Sequence, residues 1–239
     1  MRVMILALAL MPTAVAAQDG SRYYPPAGCT GTLTVQSRSC IVSHIYTCAA
    51  DNPGESWRIQ FDVDGPNFLS KIDAETQWLE SYELFPTRRE VLQQPAPDPA
   101  SLSELLATGT DSYDFTQRSD GGPVRVVGFD RLTGDDVVID GEPLLGTEFS
   151  ARYEDTTGTY LEVSGREFVS VAHQRFISGT VTQTWLRDGA SREWDRTPID
   201  FIYPGEPGFF SKTPLYDCEA SLASYRLPHR HSTVKGYDQ

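Results

Sequence analysis

The chain has 239 residues, with 20 Lys and Arg against 33 Asp and Glu, which gives a net charge of −13 at neutral pH. Such an acidic surface repels phosphate backbones and anionic lipid headgroups, so the charge argues against nucleic acid as a partner. A chain of this length can bury enough surface to form one large core, and a single domain is the default expectation.

The first 17 residues predict a cleavable secretory signal peptide. Arg2 precedes an apolar run over residues 3–11, and small residues at 15–17 precede the expected cleavage site before Gln18. The apolar run is well short of the roughly 20 residues that a membrane-spanning helix needs. We therefore expect an exported protein, periplasmic or extracellular, with no stable membrane insertion after cleavage. The expected division is a signal peptide at 1–17, a single β-rich domain at 18–225 and a flexible C-terminal tail at 226–239.

Four cysteines in an exported chain predict two disulfides. The segments on either side of residues 38–39 are typical of a β-hairpin. If these two residues form the loop, Cys29 stands opposite Cys48. This register favours the pair Cys29–Cys48 and leaves Cys40–Cys218. The alternative, Cys29–Cys40 with Cys48–Cys218, stays open.

Alternation of apolar and polar residues predicts strands along most of the chain after this hairpin. Trp57, Ile59 and Phe61 alternate with polar residues, Arg58 and Gln60 among them, as in a strand with one buried and one solvent-facing side. Similar alternation recurs over residues 137–185, with glycine-containing turn signals between the runs. The pattern indicates consecutive antiparallel strands.

One short helix is predicted near residues 98–108. It can begin at Asp98 with Pro99 in the first turn, or at Ser101 with Glu104 in a capping box, and its apolar stripe ends near Gly109. Residues 93–97, before the helix, are expected to form an extended linker. The helix is expected to insert into the run of strands as a lid across one sheet.

These elements predict an all-β fold, an antiparallel meander that forms a curved half-barrel or a barrel; a sandwich stays open as an alternative. At the level of the fold, such an architecture resembles lipocalin-like barrels and periplasmic lipid carriers, although the chain contains no motif of either. The resemblance implies a site for an apolar ligand between the sheet and the helix.

The sequence predicts no catalytic residue, no cofactor and no metal site. It lacks the nucleophile elbow, the zinc-binding H-E-x-x-H helix, the phosphate-binding P-loop and the dinucleotide-binding glycine motif. Either His44 or His173 could act as a base if a nucleophile faced it. An acidic stretch over residues 130–140 contains Asp130 and Asp135 but lacks the ligand spacing of a calcium loop, so we expect solvated carboxylates at a hairpin tip.

Two groups of residues are the ligand-binding candidates. One is a polar and aromatic patch of Glu75, Gln77 and Trp78, and the other is the pair Phe209 and Phe210 in a proline-rich, aromatic C-terminal stretch. We expect a non-catalytic protein that binds a hydrophobic small molecule or an acyl chain. The alternatives are a periplasmic protein–protein interaction module and a carboxylate-based hydrolase of extracellular polymer, which would need converging carboxylates or a Ser/His pair in a cleft.

Overall fold

The computed structural model describes residues 20–219, which form fourteen strands and one helix. The predicted signal peptide and C-terminal tail lie outside the described residues. The elements in chain order are β1 (Cys29–Ser37), β2 (Ile41–Cys48), β3 (Ser56–Asp62), β4 (Gly65–Ile72), β5 (Trp78–Leu84), β6 (Thr87–Asp98), α1 (Leu102–Thr108), β7 (Thr110–Ser119), β8 (Gly122–Leu132), β9 (Val137–Ile139), β10 (Glu142–Asp155), β11 (Gly158–Ser170), β12 (Arg175–Trp185), β13 (Ser191–Asp195) and β14 (Pro198–Ile202).

The strands form one antiparallel sheet, which confirms the all-β prediction. Its order is β13-β12-β11-β10-β8-β7-β6-β5-β4-β3-β2-β1-β14, and β9 pairs with β10 beside this path. Neighbours in the sheet are almost all neighbours in the chain. The exceptions are β8 and β10, which pair with β9 between them in sequence, and β14, which crosses back to pair with β1. The sheet is not closed into a barrel, so that alternative is wrong: β13 and β14 are its two edges, and they do not pair with each other.

The sheet curves so strongly that its two ends face each other across a core. Leu33 and Ile45, from β1 and β2, pack with Leu144 of β10 and Ile177 of β12, and each of them is at most 6% exposed. Six strands lie between β2 and β10 in the sheet order, so only a sheet that folds over itself can make this contact. We call the side of the sheet that carries this core the inner face. Burial of each such side chain contributes about 1.5–3 kcal/mol.

The helix begins after Ser101, as one of the two alternatives predicts, but the capping box is only half formed, because the Ser101 N–H donates to Asp111 Oδ2 at 2.9 Å and not to Glu104. The Ser101 hydroxyl accepts a hydrogen bond from the Glu104 N–H, and Gly109 ends the helix in the left-handed region at φ 85°. Leu102 and Leu105 pack against Val169, so this side of the helix is filled by side chains. The expected linker at 93–97 is instead part of β6.

Both disulfides join the cysteines that the register argument favours, Cys29–Cys48 and Cys40–Cys218. The loop of the first hairpin, however, has three residues, 38–40, and not two. A β-bulge between Gly31 and Leu33 compensates for the extra residue and returns Cys29 to the position opposite Cys48. Two disulfides indicate that the protein matures in an oxidising compartment. Within residues 20–219, no helix is long and apolar enough to cross a membrane.

The expectation that one side of β3 faces solvent is wrong. Ile59 and Phe61 are buried on the outer face of the sheet, where they pack with Phe210 and Tyr23. Gln60 is 7% exposed on the opposite, inner face, where Arg58 is half-buried. Both sides of β3 are covered because the curved sheet brings β12 over the inner face, while the segment after β14 crosses the outer face.

Candidate functional site

The outer face of β1–β3 supports an aromatic surface that the segment after β14 completes. Thr34 of β1 and His44 of β2 are cross-strand neighbours, both fully buried, and the Thr34 hydroxyl lies 3.0 Å from His44 Nδ1. The backbone N–H of Phe210 donates to the Thr34 hydroxyl oxygen at 2.9 Å. This contact fixes the C-terminal segment on the sheet, with the Phe210 ring stacked on the His44 imidazole at 4.7 Å between centroids.

The N-terminal segment packs beside the same ring. The Tyr23 N–H donates to the Phe210 carbonyl at 2.8 Å, and the two rings stack at 6.0 Å. Gly31 lies beneath them, and a Cβ at this position would come within 2.6 Å of Phe210 Cζ and 3.1 Å of Phe209 Cζ. The absence of a side chain at residue 31 is therefore what allows both phenylalanines to lie against the sheet.

These groups enclose an open cleft of about 290 Å³, which we call the aromatic cleft. Its lining consists of Arg22, Tyr23, Tyr24, Pro25, Gly31, Phe209 and Phe210. Arg22 is the only charged residue among them, and its guanidinium carbon lies 5.6 Å from the centroid of the Phe209 ring. The cleft thus combines an apolar, aromatic wall with one exposed cation at its rim.

His44 cannot supply acid–base chemistry to this cleft. Burial lowers the pKa of His44 to about 3, although its interaction with the Ser211 backbone opposes the shift. The imidazole is therefore neutral at physiological pH. Its neighbouring hydroxyl, Thr34, is fully buried and receives the Phe210 N–H, so it is not placed as an accessible nucleophile.

The candidate patch of Glu75, Gln77 and Trp78 lies at the junction of β4 and β5, outside the lining of the aromatic cleft, and holds the start of the helix. Glu75 Oε2 accepts from the Ser103 N–H at 2.8 Å and from the Ser101 hydroxyl at 3.1 Å. Gln77 is 2% exposed. Its Oε1 accepts from the backbone N–H of Ala100 at 2.9 Å. Trp78 remains 36% exposed. The first two side chains thus satisfy helix N-terminal donors, and the ligand-binding prediction for this patch stays a prediction.

The acidic groups that come closest to converging lie on the inner face. Asp111 of β7 and Asp130 of β8 are cross-strand neighbours, 2% and 6% exposed. Burial, together with neighbouring carboxylates, raises the pKa of Asp111 to about 6 and that of Asp130 to about 7. Burial also raises the pKa of Glu167 on β11, and Asp130 raises it further. The expectation that Asp130 is solvated is wrong, because its strand turns this residue inward.

The comparisons with known proteins assign no family. No protein-family model, no curated protein and no solved structure matches the chain. Within residues 20–219, no cluster of three or more His, Cys, Asp or Glu side chains could hold a metal ion.

The structure brings Phe209 and Phe210 to the aromatic cleft together with residues that sequence reasoning missed. Arg22, Tyr23 and Tyr24 precede the first strand and carry no periodic pattern, so the sequence offers no signal that they meet a segment nearly 190 residues away. Gly31 interrupts the alternation of β1, and an isolated glycine in a strand can mark a close approach of another part of the chain. Gly31 was therefore a sequence signal for a segment that crosses β1.

Proposed function

We propose that the protein is an exported, non-catalytic binding protein whose aromatic cleft takes a compact apolar molecule that carries a carboxylate. The observation that supports this proposal is the cleft itself, about 290 Å³ of open space walled by tyrosine and phenylalanine rings. Small-molecule sites are typically concave and mostly apolar, with a few polar groups that orient the ligand. Arg22 at the rim matches the negative end of such a ligand.

The cleft suits a short ligand better than a long acyl chain. Its volume of about 290 Å³ lies just below the range for small-molecule sites, about 300–1,000 Å³. The helix offers no comparable room where Leu102 and Leu105 pack directly against Val169. The proposal therefore moves the apolar site from the region between sheet and helix to the outer face of β1.

The hydrolase alternative has less support. Asp111 and Asp130 are the best-placed acidic pair, but they are 2% and 6% exposed, and a polymer cannot reach carboxyl groups at that depth. His44 is neutral and covered by Phe210. The export component of the proposal is supported by the two disulfides and by the leader-like first 17 residues.

Titration with 8-anilinonaphthalene-1-sulfonate, an apolar anionic dye, tests the proposal, with octanoate as a competitor. We expect saturable binding to the protein that octanoate displaces, because both molecules pair an apolar body with one negative charge. Dodecanoate tests whether the cleft favours short ligands. We expect it to displace the dye no more strongly than octanoate does, although its apolar chain is longer.

Two matched variants locate the binding site. Phe209→Ala removes a half-buried ring from the cleft wall, whereas Phe85→Ala removes a ring that is 82% exposed in the turn between β5 and β6. We expect at least a tenfold loss of dye affinity in F209A and no change in F85A. Circular dichroism establishes that both variants are folded. Equal affinities in the two variants, or no saturable binding to the unmodified protein, would contradict the proposal.

A further inference from the structure

A second cavity lies on the inner face, between β1–β3 and the beginning of β12. Three arginines line it: Arg58 from β3, Arg175 at the start of β12, and Arg196 from the link between β13 and β14. The remaining polar lining consists of Ser37, Ser43, Gln60 and Ser178. The centre of a water molecule can occupy a volume of about 20 Å³ in this cavity. The cavity therefore has room for one water or for an ion of similar size. We call it the arginine cavity.

Each of the three arginines that line the cavity has a buried donor without a partner among the described residues. The Nε atoms of Arg58, Arg175 and Arg196 are buried, and none has a hydrogen-bond partner among residues 20–219. Arg175 is only 3% exposed, and its Nη2 donates to the Ser56 hydroxyl at 2.7 Å. A buried donor on a charged group is costly to leave unpaired, so three at one cavity indicate a missing acceptor.

The charge at the cavity is not balanced by neighbouring side chains. Burial lowers the pKa of Arg58 to about 10 and that of Arg175 to about 9, and mutual repulsion among the arginines adds to both shifts. Both remain protonated at neutral pH. Glu167 partly offsets the lowering of the Arg58 pKa, and Asp62 does the same for Arg196. None of the three arginines forms an ion pair within residues 20–219. Burial raises the pKa of Glu167, which weakens this group as a counter-charge, so the three arginines leave an excess of positive charge at the cavity.

We propose that the arginine cavity binds a single halide ion, chloride under physiological conditions. A halide carries a negative charge that offsets the excess, accepts several N–H and O–H donors at once, and is only slightly larger than water. Tetrahedral oxyanions such as sulfate are too large for a space that fits one water. The site lies on the opposite face of the sheet from the aromatic cleft and does not depend on the function proposed for that cleft.

The bound ion has a structural consequence for the two ends of the sheet. Arg58 belongs to the third strand, whereas Arg175 and Arg196 come from the far end of the chain. An anion between them replaces repulsion across the fold with attraction to a common centre. We therefore expect chloride to stabilise the folded protein in proportion to its occupancy of the site.

Bromide diffraction tests the location of the site in the unmodified protein. Crystals grown without halide and soaked in sodium bromide should show an anomalous peak within hydrogen-bond reach of the Arg58 and Arg175 guanidinium groups. Bromide peaks confined to the outer surface, with none in the arginine cavity, would overturn the proposal.

Chlorine-35 NMR line widths test the role of the arginines in solution. We expect protein-dependent broadening of the chloride signal, which bromide reverses at similar concentrations and sulfate at matched ionic strength does not. Arg175→Lys should weaken chloride binding at least tenfold, because it removes the guanidinium fork and keeps the charge. Arg131→Lys is the matched control, since the Arg131 side chain is 55% exposed on the outer surface.

Two results of the NMR experiment would refute the assignment. Equal broadening in R175K and R131K would show that chloride associates with the surface only, and sulfate competing as well as bromide would refute the selectivity for a compact ion. If R175K fails to fold, Arg58→Lys replaces it in the same comparison, and the bromide experiment on the unmodified protein stands independently.

Discussion

Replacement of Asp130 by asparagine should stabilise the protein, and the gain should depend on pH. Asp130 is 6% exposed, and burial together with Asp111 raises its pKa from 3.8 to about 7. The folded state therefore binds this proton more tightly than the unfolded state does. The protonated carboxyl makes its full contribution to the stability of the fold below about pH 4, and this contribution is lost as the pH rises through about 7. Asparagine has a similar shape and no charge, so Asp130→Asn avoids this loss.

The pKa shift sets an upper limit on the effect. A shift of one pKa unit corresponds to about 1.4 kcal/mol, so a rise from 3.8 to about 7 amounts to at most roughly 4 kcal/mol above pH 7. Removal of the charge also relieves Glu167, whose raised pKa depends in part on Asp130. We expect the free energy of unfolding of D130N to equal that of the unmodified protein at pH 4 and to exceed it by a few kcal/mol at pH 8.

Urea unfolding at pH 4, 6 and 8, followed by tryptophan fluorescence, measures this difference in the free energy of unfolding. Asp135→Asn is the matched control from the same acidic stretch, because the Asp135 side chain is 70% exposed, and it should change stability little at any pH. A D130N variant that is less stable than the unmodified protein at pH 8 would refute the reasoning, since it would mean that Asp130 is ionised and stabilised by its surroundings.

Three further predictions concern the disulfides, the cleft and the helix. Replacement of Cys40 and Cys218 by serine should lower the free energy of unfolding by about 5 kcal/mol, and the same change at Cys29 and Cys48 by about 3 kcal/mol. The difference arises because the two bridges close loops of 178 and 19 residues. Urea unfolding that shows the reverse order would contradict this prediction. Gly31→Val should displace the two phenylalanines and abolish dye binding, and unchanged binding would be evidence against the cleft as the site. Gln77→Leu should cost about 1–3 kcal/mol in urea unfolding because it leaves a buried backbone N–H unpaired, and an unchanged midpoint would contradict that role.

The first hairpin shows how far sequence reasoning reaches. Alternation and turn residues predict its two strands, and the assumed loop at 38–39 gives the correct partner for Cys29. That loop is one residue too short, and the bulge between Gly31 and Leu33 cancels the error. A bulge depends on which neighbour crosses the strand, here Phe210 over Gly31, and so cannot be placed from local pattern alone.

The candidate sites depend more than the first hairpin does on contacts between segments that are far apart in the sequence. Phe209 and Phe210 could be singled out because aromatics are dense in that stretch, but their partners, Arg22 and Tyr23, come from the other end of the chain. Arg58 occupies the position of a solvent-facing residue in an alternating strand, and only the curvature of the sheet turns that side inward. Period-two alternation distinguishes the two faces of a strand without stating what covers each of them.

The pairing of β14 with β1 determines when folding can finish. Each other neighbouring pair on the sheet path can form soon after its second strand emerges, but the outer edge of β1 stays unpaired until residue 202 is available. A chain that crosses a membrane amino-terminus first would present this edge, with its free backbone N–H and C=O groups, for almost the whole transit. Completion of the fold, and of the 40–218 disulfide, must therefore be a late event.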